Sequence, residues 1–206
     1  MLTAKQLEIF GIFLGNVYKK YTYQEIKDHE KSNNLIQLAI KKFKHENLIN
    51  EKEIGTSKLY SLNLENPKIY SYLELAANMN LSKEVKDSLN ILKKELDKLT
   101  CFYSLVVFGS FASNQNKKGS DLDVAIFINK KKLVQKIKIA VNLANNKSLL
   151  NMDVHSFTKK EFLELLKADY ANLAKEIVYN NLPVCNSYIY YKILARGVDN
   201  GFKIVS

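Results

Sequence analysis

Apolar side chains crowd the start of the chain. Leu2, Leu7, Ile9, Phe10, Ile12, Phe13 and Leu14 fall so densely within residues 2–17 that the segment predicts a buried helix. Thr22-Tyr23-Gln24-Glu25 is a capping box, in which a hydroxyl and a carboxylate satisfy the free N–H groups of a helix start, and it predicts a short helix to about His29. Ser32-Asn33-Asn34 restarts the chain. Leu35, Leu38, Ala39, Phe43 and Leu48 then supply a helical stripe, with Ile36, Gln37, Lys41 and Lys44 largely off it, and predict a helix over 33–46. Strand-like runs at 49–54 and 58–62 flank Gly55-Thr56-Ser57, a turn signal that makes them a hairpin.

Asn66-Pro67 marks a boundary, because proline is favoured at a first helical position and restricts the residue before it. A helix over 67–78 is expected, with a break at Asn80. Leu81, Val85, Leu89, Leu92, Leu96 and Leu99 then recur at spacings of three and four, giving a long amphipathic helix whose leucines serve as core or as the seam of a homodimer. From Cys101 the pattern alternates: strand 102–108, short helix 109–115, strand 121–128, helix 130–146, strand 149–157, helix 159–167 and helix 172–180. The helix at 159 opens on a second capping box, Thr158-Lys159-Lys160-Glu161. The tail to Ser206 stays unassigned. Interleaved strands and helices indicate an α/β or α+β domain around a central sheet. Three regions result: 1–64, a helical link over 65–100 that includes the first helix of the next domain, and 101–206.

Composition changes this picture little. Among 206 residues, 47% are hydrophobic, enough for sizeable cores. No apolar run approaches membrane-spanning length and no signal-peptide pattern opens the chain, so a cytoplasmic location without membrane contact is expected. Cys101 and Cys185 lack partners at metal-ligand spacing and are expected to be reduced core residues. The net charge is +10, almost all of it from lysine, with Arg196 the sole arginine. Residues 101–206 carry 15 basic against 8 acidic side chains, while 1–64 carry 10 against 7. Lysines on solvated faces and a polyanion partner both fit that excess.

Three helices and a hairpin within residues 1–64 resemble a winged helix-turn-helix domain. The resemblance implies a recognition helix at 33–46 and a wing at 49–63, the helix entering the major groove of double-stranded DNA and the wing touching its backbone. Asn33, Asn34, Gln37, Lys41 and Lys44 on the helix, with Lys52 and Lys58 on the wing, would make the contacts. Such modules also serve as protein-protein or dimerisation units.

The chemistry gathers later. Phe108-Gly109-Ser110-Phe111-Ala112-Ser113 ends one apolar strand, and Gly119-Ser120-Asp121-Leu122-Asp123-Val124 begins the next. A glycine after a strand lets backbone approach a phosphate, and a helix opening at Ser110 would offer its N–H groups to phosphate oxygens. Asp121 and Asp123, two apart on a strand, point to one face and repel each other unless a cation lies between them. Mg²⁺ is the oxygen-seeking ion that accompanies nucleotide phosphates.

The order Gly-Ser-x10-Asp-x-Asp, with the flanks Val-Val-Phe-Gly-Ser-Phe-Ala and Gly-Ser-Asp-Leu-Asp-Val-Ala-Ile, resembles the polymerase-β-like nucleotidyltransferase superfamily, and in particular its minimal, antitoxin-type branch. The likeness covers about residues 85–185. It implies an α+β protein in which a winged helix-turn-helix precedes a nucleotidyltransferase α/β domain with a small mixed sheet. It also implies a third carboxylate on the strand after the intervening helix. Asp153 meets that expectation, alternating with Met152 and Val154 and so sharing a face with Asn151 and His155. Asp121, Asp123 and Asp153 would then be the catalytic and Mg²⁺-binding residues, and Gly109 and Ser110 would hold the β- and γ-phosphates. Lys117 and Lys118, in the loop before Asp121, are weaker nucleotide-binding candidates. His155 is expected to be a hydrogen-bonded structural residue, His29 and His45 surface residues, and Tyr188, Tyr190 and Tyr191 mainly packing.

The implied activity is Mg²⁺-dependent transfer of a nucleoside monophosphate, AMP from ATP in the first instance though another NTP would serve, to an acceptor hydroxyl. In minimal nucleotidyltransferases paired with HEPN-type toxins, the acceptor is a tyrosine of the toxin. The alternative from a different class is a DNA-binding transcriptional regulator that senses a nucleotide without turnover.

Overall fold

In the computed structural model, which describes residues 1–30 and 32–204, the first helix, α1 (Ala4–Phe10), starts at a capping box of its own. The Thr3 hydroxyl accepts from the Gln6 N–H, and the Gln6 side chain accepts from the Thr3 N–H. A single 3-10 stretch, Gly11–Leu14, continues it, so the dense apolar segment is two short helical pieces instead of one. After β1 (Tyr21–Thr22), the expected Thr22–Glu25 box opens α2 (Tyr23–Lys27). Helix α3 (Asn33–His45) is capped by Ser32, and the hairpin β2 (Ile49–Ile54) and β3 (Ser57–Leu62) follows. β3 lies between β1 and β2, antiparallel to both. Helix α4 (Lys68–Met79) completes a unit spanning Met1–Met79 and packs on α1.

The apolar stripe of α3 is corrected by the structure. Its buried residues are Ile36, Ala39, Ile40 and Phe43, whereas Leu35 is 37% and Leu38 59% exposed. Phe43 decides between the two stripes, because its ring meets Phe10 edge-on at 5.2 Å. At about 100° per residue, Ile36 lies only about 20° from Phe43 around the helix, but Leu38 lies about 140° away. Around this contact Phe13, Tyr21 and Tyr72 complete an aromatic core.

The second unit, Asn80–Ile204, opens with α5 (Lys83–Asp97), capped by Ser82. Its Val85, Leu89, Leu92 and Leu96 are buried, and it packs on the helix Val134–Asn145, so the leucine stripe is core of this chain. The helical link expected over 65–100 is thus divided, α4 belonging to the first unit and α5 to the second. Then come β4 (Tyr103–Phe108), α6 (Gly109–Ala112), β5 (Leu122–Ile128), α7 (Val134–Asn145), β6 (Met152–Thr158), α8 (Lys159–Lys167) and α9 (Leu173–Tyr179). The unassigned tail forms β7 (Asn181–Cys185) and α10 (Ser187–Asp199), while residues 205–206 fall outside the described residues. Pro183 sits in β7 because β7 is an edge strand, where a missing N–H costs no ladder bond on the open side.

The sheet order is β6-β5-β4-β7, with β4 antiparallel to β5 and β7, and β5 parallel to β6. This mixed sheet agrees with the α+β expectation. The parallel step requires the crossover that α7 provides. Cys185 is buried but Cys101 is exposed, which corrects the expectation that both are core; neither forms a disulfide. Among the described residues no helix is long and apolar enough to cross a membrane.

Glu46, at the end of α3, ties that helix to α4. Lys42 beside it, together with the Tyr72 hydroxyl that donates to it, holds its carboxyl down at about 2 despite the opposing cost of burial. A folded value below the unfolded one stabilises the fold at pH above the unfolded value of 4.5, and that stabilisation fades as pH falls toward 2. Glu46→Gln should therefore lower the melting temperature at pH 7 and lower it much less at pH 2.5, where most of the stabilisation has already faded; an equal loss at both pH values in thermal melts would refute the assignment.

Candidate active site

Three backbone features bring the carboxylates together. β4 and β5 run antiparallel with Val107 opposite Val124, so Gly109 emerges beside the start of β5. β5 and β6 run parallel with Asp123 level with Asp153. The start of β6 is pinned by Asn145, whose side chain donates to the Met152 carbonyl at 3.0 Å and accepts from the Met152 N–H at 2.9 Å. Register partners in a parallel pair share a face. Asp123 and Asp153 therefore project side by side, with Asp121 one alternation earlier.

Gly109 takes φ +67°, a left-handed conformation that costs an L-residue roughly 1–2 kcal/mol. A Cβ there would stand 2.5 Å from Asp123 Oδ2. Glycine is thus required twice, by the backbone and by the carboxylate it touches. Helix α6 is a single turn, shorter than the expected 109–115, and is held by the Ser113 hydroxyl donating to the Gly109 carbonyl. The Ser110 carbonyl accepts from the Gln115 N–H at 2.8 Å.

The electrostatics are those of crowded negative charge. Burial pushes the Asp123 carboxyl up, and Asp153, Glu176 and Asp121 push it further, with His155 opposing. His155 Nε2 lies 3.3 Å from Asp153 Oδ2, and its ring sits 6.2 Å from that of Phe108. Asp121 is exposed and its Oδ1 accepts from Asn151 Nδ2 at 3.0 Å. Among the described residues no group of three or more His, Cys, Asp or Glu side chains converges as a ready metal cage. The donor set still suits a hard divalent cation, since carboxylate oxygens are its preferred ligands and the repulsion on Asp123 is what such an ion relieves.

Lys117 and Lys118 are exposed in the loop ahead of Asp121 and form no ion pair; the loop is shaped by the Lys117 N–H donating to Ser120 Oγ. Two contributors escaped the sequence reading. Asn145 offers no signal beyond its place at a helix end. Glu176 lies on α9, and only the chain's return through β7 beside β4 brings that helix to the site. Of the three tyrosines, Tyr190 and Tyr191 are buried and Tyr188 is exposed.

In the first unit, Asn33, Asn34, Gln37, Lys41 and Lys44 of α3 are all exposed, as are Lys52 and Lys58 of the hairpin. Their charges are unequal. Lys44 and Lys58 both pair with Glu51, and Lys58 also approaches Glu53, whereas among the described residues Lys41 and Lys52 form no ion pair.

Residues 90–181 match the family model described as Polymerase beta, Nucleotidyltransferase. The match takes in Gly109, Ser110, Asp121, Asp123, Asp153 and Glu176, and it supports a polymerase-β-like nucleotidyltransferase domain in this part of the chain and nucleotidyl transfer in general. No curated protein matches the chain.

A raised folded value on a carboxyl reverses the sign found for Glu46. Ionising Asp123 costs the folded state, so stability is lost as pH rises from below 3.8 through the raised value, and the deficit is complete above it. In chelator, Asp123→Asn should melt higher than wild type at pH 7 and lose that advantage near pH 3. A variant that melts lower at both pH values would sink the electrostatic account. Gly109→Ala and Gly119→Ala provide a second comparison, since nothing lies within 4 Å of a Cβ at Gly119 (φ +87°). Both should lose roughly 1–2 kcal/mol for the backbone, but only Gly109→Ala should move the Asp123 carboxyl resonance in a ¹³C titration.

Proposed function

We propose that the second unit transfers a nucleoside monophosphate, AMP from ATP, to an acceptor hydroxyl, with Mg²⁺ as cofactor. The observation that carries this reading is the level pairing of Asp123 and Asp153 across parallel strands, directly against a glycine at φ +67° whose Cβ would stand 2.5 Å from Asp123 Oδ2. Asp121, Asp123 and Asp153 would hold Mg²⁺, which when bound supplies neutralisation of charge on the phosphoryl oxygens and the departing pyrophosphate.

The rest falls to the chain. Gly109 leaves space for phosphate beside Asp123, and the Ser110 hydroxyl can donate to a phosphate oxygen. Lys117 and Lys118 add positive charge from the exposed loop ahead of Asp121. The acceptor oxygen bonds to the α-phosphorus as the α–β bridging bond breaks. Its proton passes to the exposed carboxylate of Asp153, with His155 Nε2 3.3 Å away to receive it. A tyrosine hydroxyl of a HEPN-type toxin is the acceptor this reading favours. The first unit acts as a winged helix-turn-helix on double-stranded DNA, with α3 as recognition helix and the β2–β3 hairpin as wing.

A second reading, nucleotide sensing without turnover, is favoured by one contact: Asn151 already occupies an oxygen of Asp121. The two are separated by incubating the protein with Mg²⁺, α-³²P-ATP and candidate acceptors, a tyrosine-bearing partner among them. Label should pass to the acceptor from α-³²P-ATP and not from γ-³²P-ATP, and Asp121→Ala should reduce it at least about 100-fold. ATP binding with no labelled product on any acceptor would favour the sensor. For DNA, Lys41→Ala and Lys52→Ala should each weaken binding and flatten the salt slope by about 1. Lys44→Ala, whose charge Glu51 already offsets, should do less; equal effects from all three in a salt titration would contradict this ranking.

A further inference from the structure

Two cavities of the second unit lie away from the carboxylates, at the far end of the same strands. One, of about 670 Å³, is lined by Ile128, Lys159, Lys160, Leu163, Glu164 and Lys167 among others. Another, of about 460 Å³, is lined by Phe102, Tyr188, Ile189, Lys192, Ile193 and Arg196 among others. Ile128, Asn129 and Lys159 line both, so the two are lobes of one groove. From Asp123 to Ile128 is five residues along β5, about 16 Å at 3.3 Å per residue. The groove is therefore a separate place from the carboxylate site.

Two helices furnish it with regular stripes. Tyr188, Lys192 and Arg196 recur every four residues on α10 and so form one face. Lys160, Glu164 and Lys167, at spacings of four and three, form one face of α8. Five cations line the groove against one carboxylate, Glu164, which stands 3.9 Å from Lys160. Among the described residues, Lys159, Lys167 and Arg196 form no ion pair. Amid this charge the rings of Phe102 and Tyr188 are 64% and 51% exposed, and Lys192 Nζ lies 5.4 Å over the Tyr188 ring. Cations interleaved with exposed aromatic faces, on an apolar floor of Ile189, Ile193 and Leu163, match a ligand that repeats phosphate and flat ring. A solvated lysine face would carry the charge without the exposed rings. Each lobe falls within the roughly 300–1,000 Å³ of a small-ligand site, so the groove has room for more than one nucleotide.

We propose that this groove binds a short single-stranded nucleic acid through its nucleoside phosphate units, stacking bases on Phe102 and Tyr188 and pairing phosphates with Lys159, Lys167 and Arg196. The binding does not depend on the transfer reaction proposed above. Free nucleotide presents the same chemistry, and the test separates the two sources.

The experiment is fluorescence anisotropy on the full chain in EDTA, with a labelled ten-nucleotide oligo(A) and, separately, mant-ATP. Oligo(A) should bind with a salt slope near −2, from roughly −0.7 for each of three phosphates. Lys159→Glu combined with Arg196→Glu should weaken binding at least about tenfold, and Phe102→Ala, with its charge unchanged, about tenfold. All three positions are exposed, and thermal melts matching wild type would establish that the variants fold. Asp121→Ala and the pair Lys41→Glu with Lys52→Glu should leave binding unchanged, which separates this groove from both sites treated above. Tight mant-ATP binding with the same variant sensitivity, not displaced by oligo(A), would assign the groove to free nucleotide and overturn the strand. Three further results overturn the proposal: no binding of either probe, loss only in the Lys41 and Lys52 variant, or displacement by polyglutamate as effective as by oligo(A) at equal charge.

Discussion

Two carboxylates are held level with each other across β5 and β6, and they repel. The second unit is arranged so that this repulsion cannot relax. Sliding β6 by one residue would turn Asp153 to the opposite face, but the Asn145 side chain grips both polar groups of the Met152 backbone and fixes the register. Pulling Asp123 back toward β4 is blocked by Gly109, which is already in contact with it. Glu176 on α9 adds a further negative charge. A fold that spends stability to keep like charges together has a use for their field, and this is the physical basis on which a cation with a phosphate ligand is proposed for the site.

The same face of the sheet changes character along its length. Asp123, Ala125 and Phe127 share that face of β5, and Asp153, His155 and Phe157 share it on β6. At one end the carboxylates are left partly open. At the other, Phe127, Phe157, Phe162 and Tyr190 form an edge-to-face cluster under α8 and α10. This aromatic layer gives the strands a rigid anchor, so the carboxylates are positioned by packed core behind them and not by their own contacts. It also fixes the two helices whose outer faces line the basic groove.

Much of this was legible in the sequence, because the informative signals are local. The Thr22–Glu25 and Thr158–Glu161 boxes give helix starts from four residues each, and the alternation around Asp153 places it with Asn151 and His155. What escaped depends on tertiary context. The α3 stripe was misassigned because two rival apolar rows share Ala39 and Phe43, and only contact with Phe10 selects Ile36 and Ile40 over Leu35 and Leu38. Strand β7 was missed because a proline-bearing pentapeptide is strand-like only at an edge. Glu176 carries no signal at all, since its relevance arises from where β7 returns the chain.

Charge shows why composition is a poor guide where geometry is a good one. The chain is strongly basic, yet its lysines do different work according to their neighbours. Glu51 neutralises two hairpin and helix lysines, Glu46 holds Lys42, and Glu95 binds both Lys98 and Lys147 to close α5 against the turn after α7. Among the described residues many lysines remain outside such pairs, and among these are Lys41 and Lys52 in the first unit, Lys117 and Lys118 ahead of the carboxylates, and Lys159 and Lys167 in the α8–α10 groove. Paired lysines hold the fold and are already satisfied. An unpaired cation retains its full attraction for an incoming anion, so where such cations stand beside a carboxylate site or exposed rings, and not the net charge, bears on where a polyanion could be held.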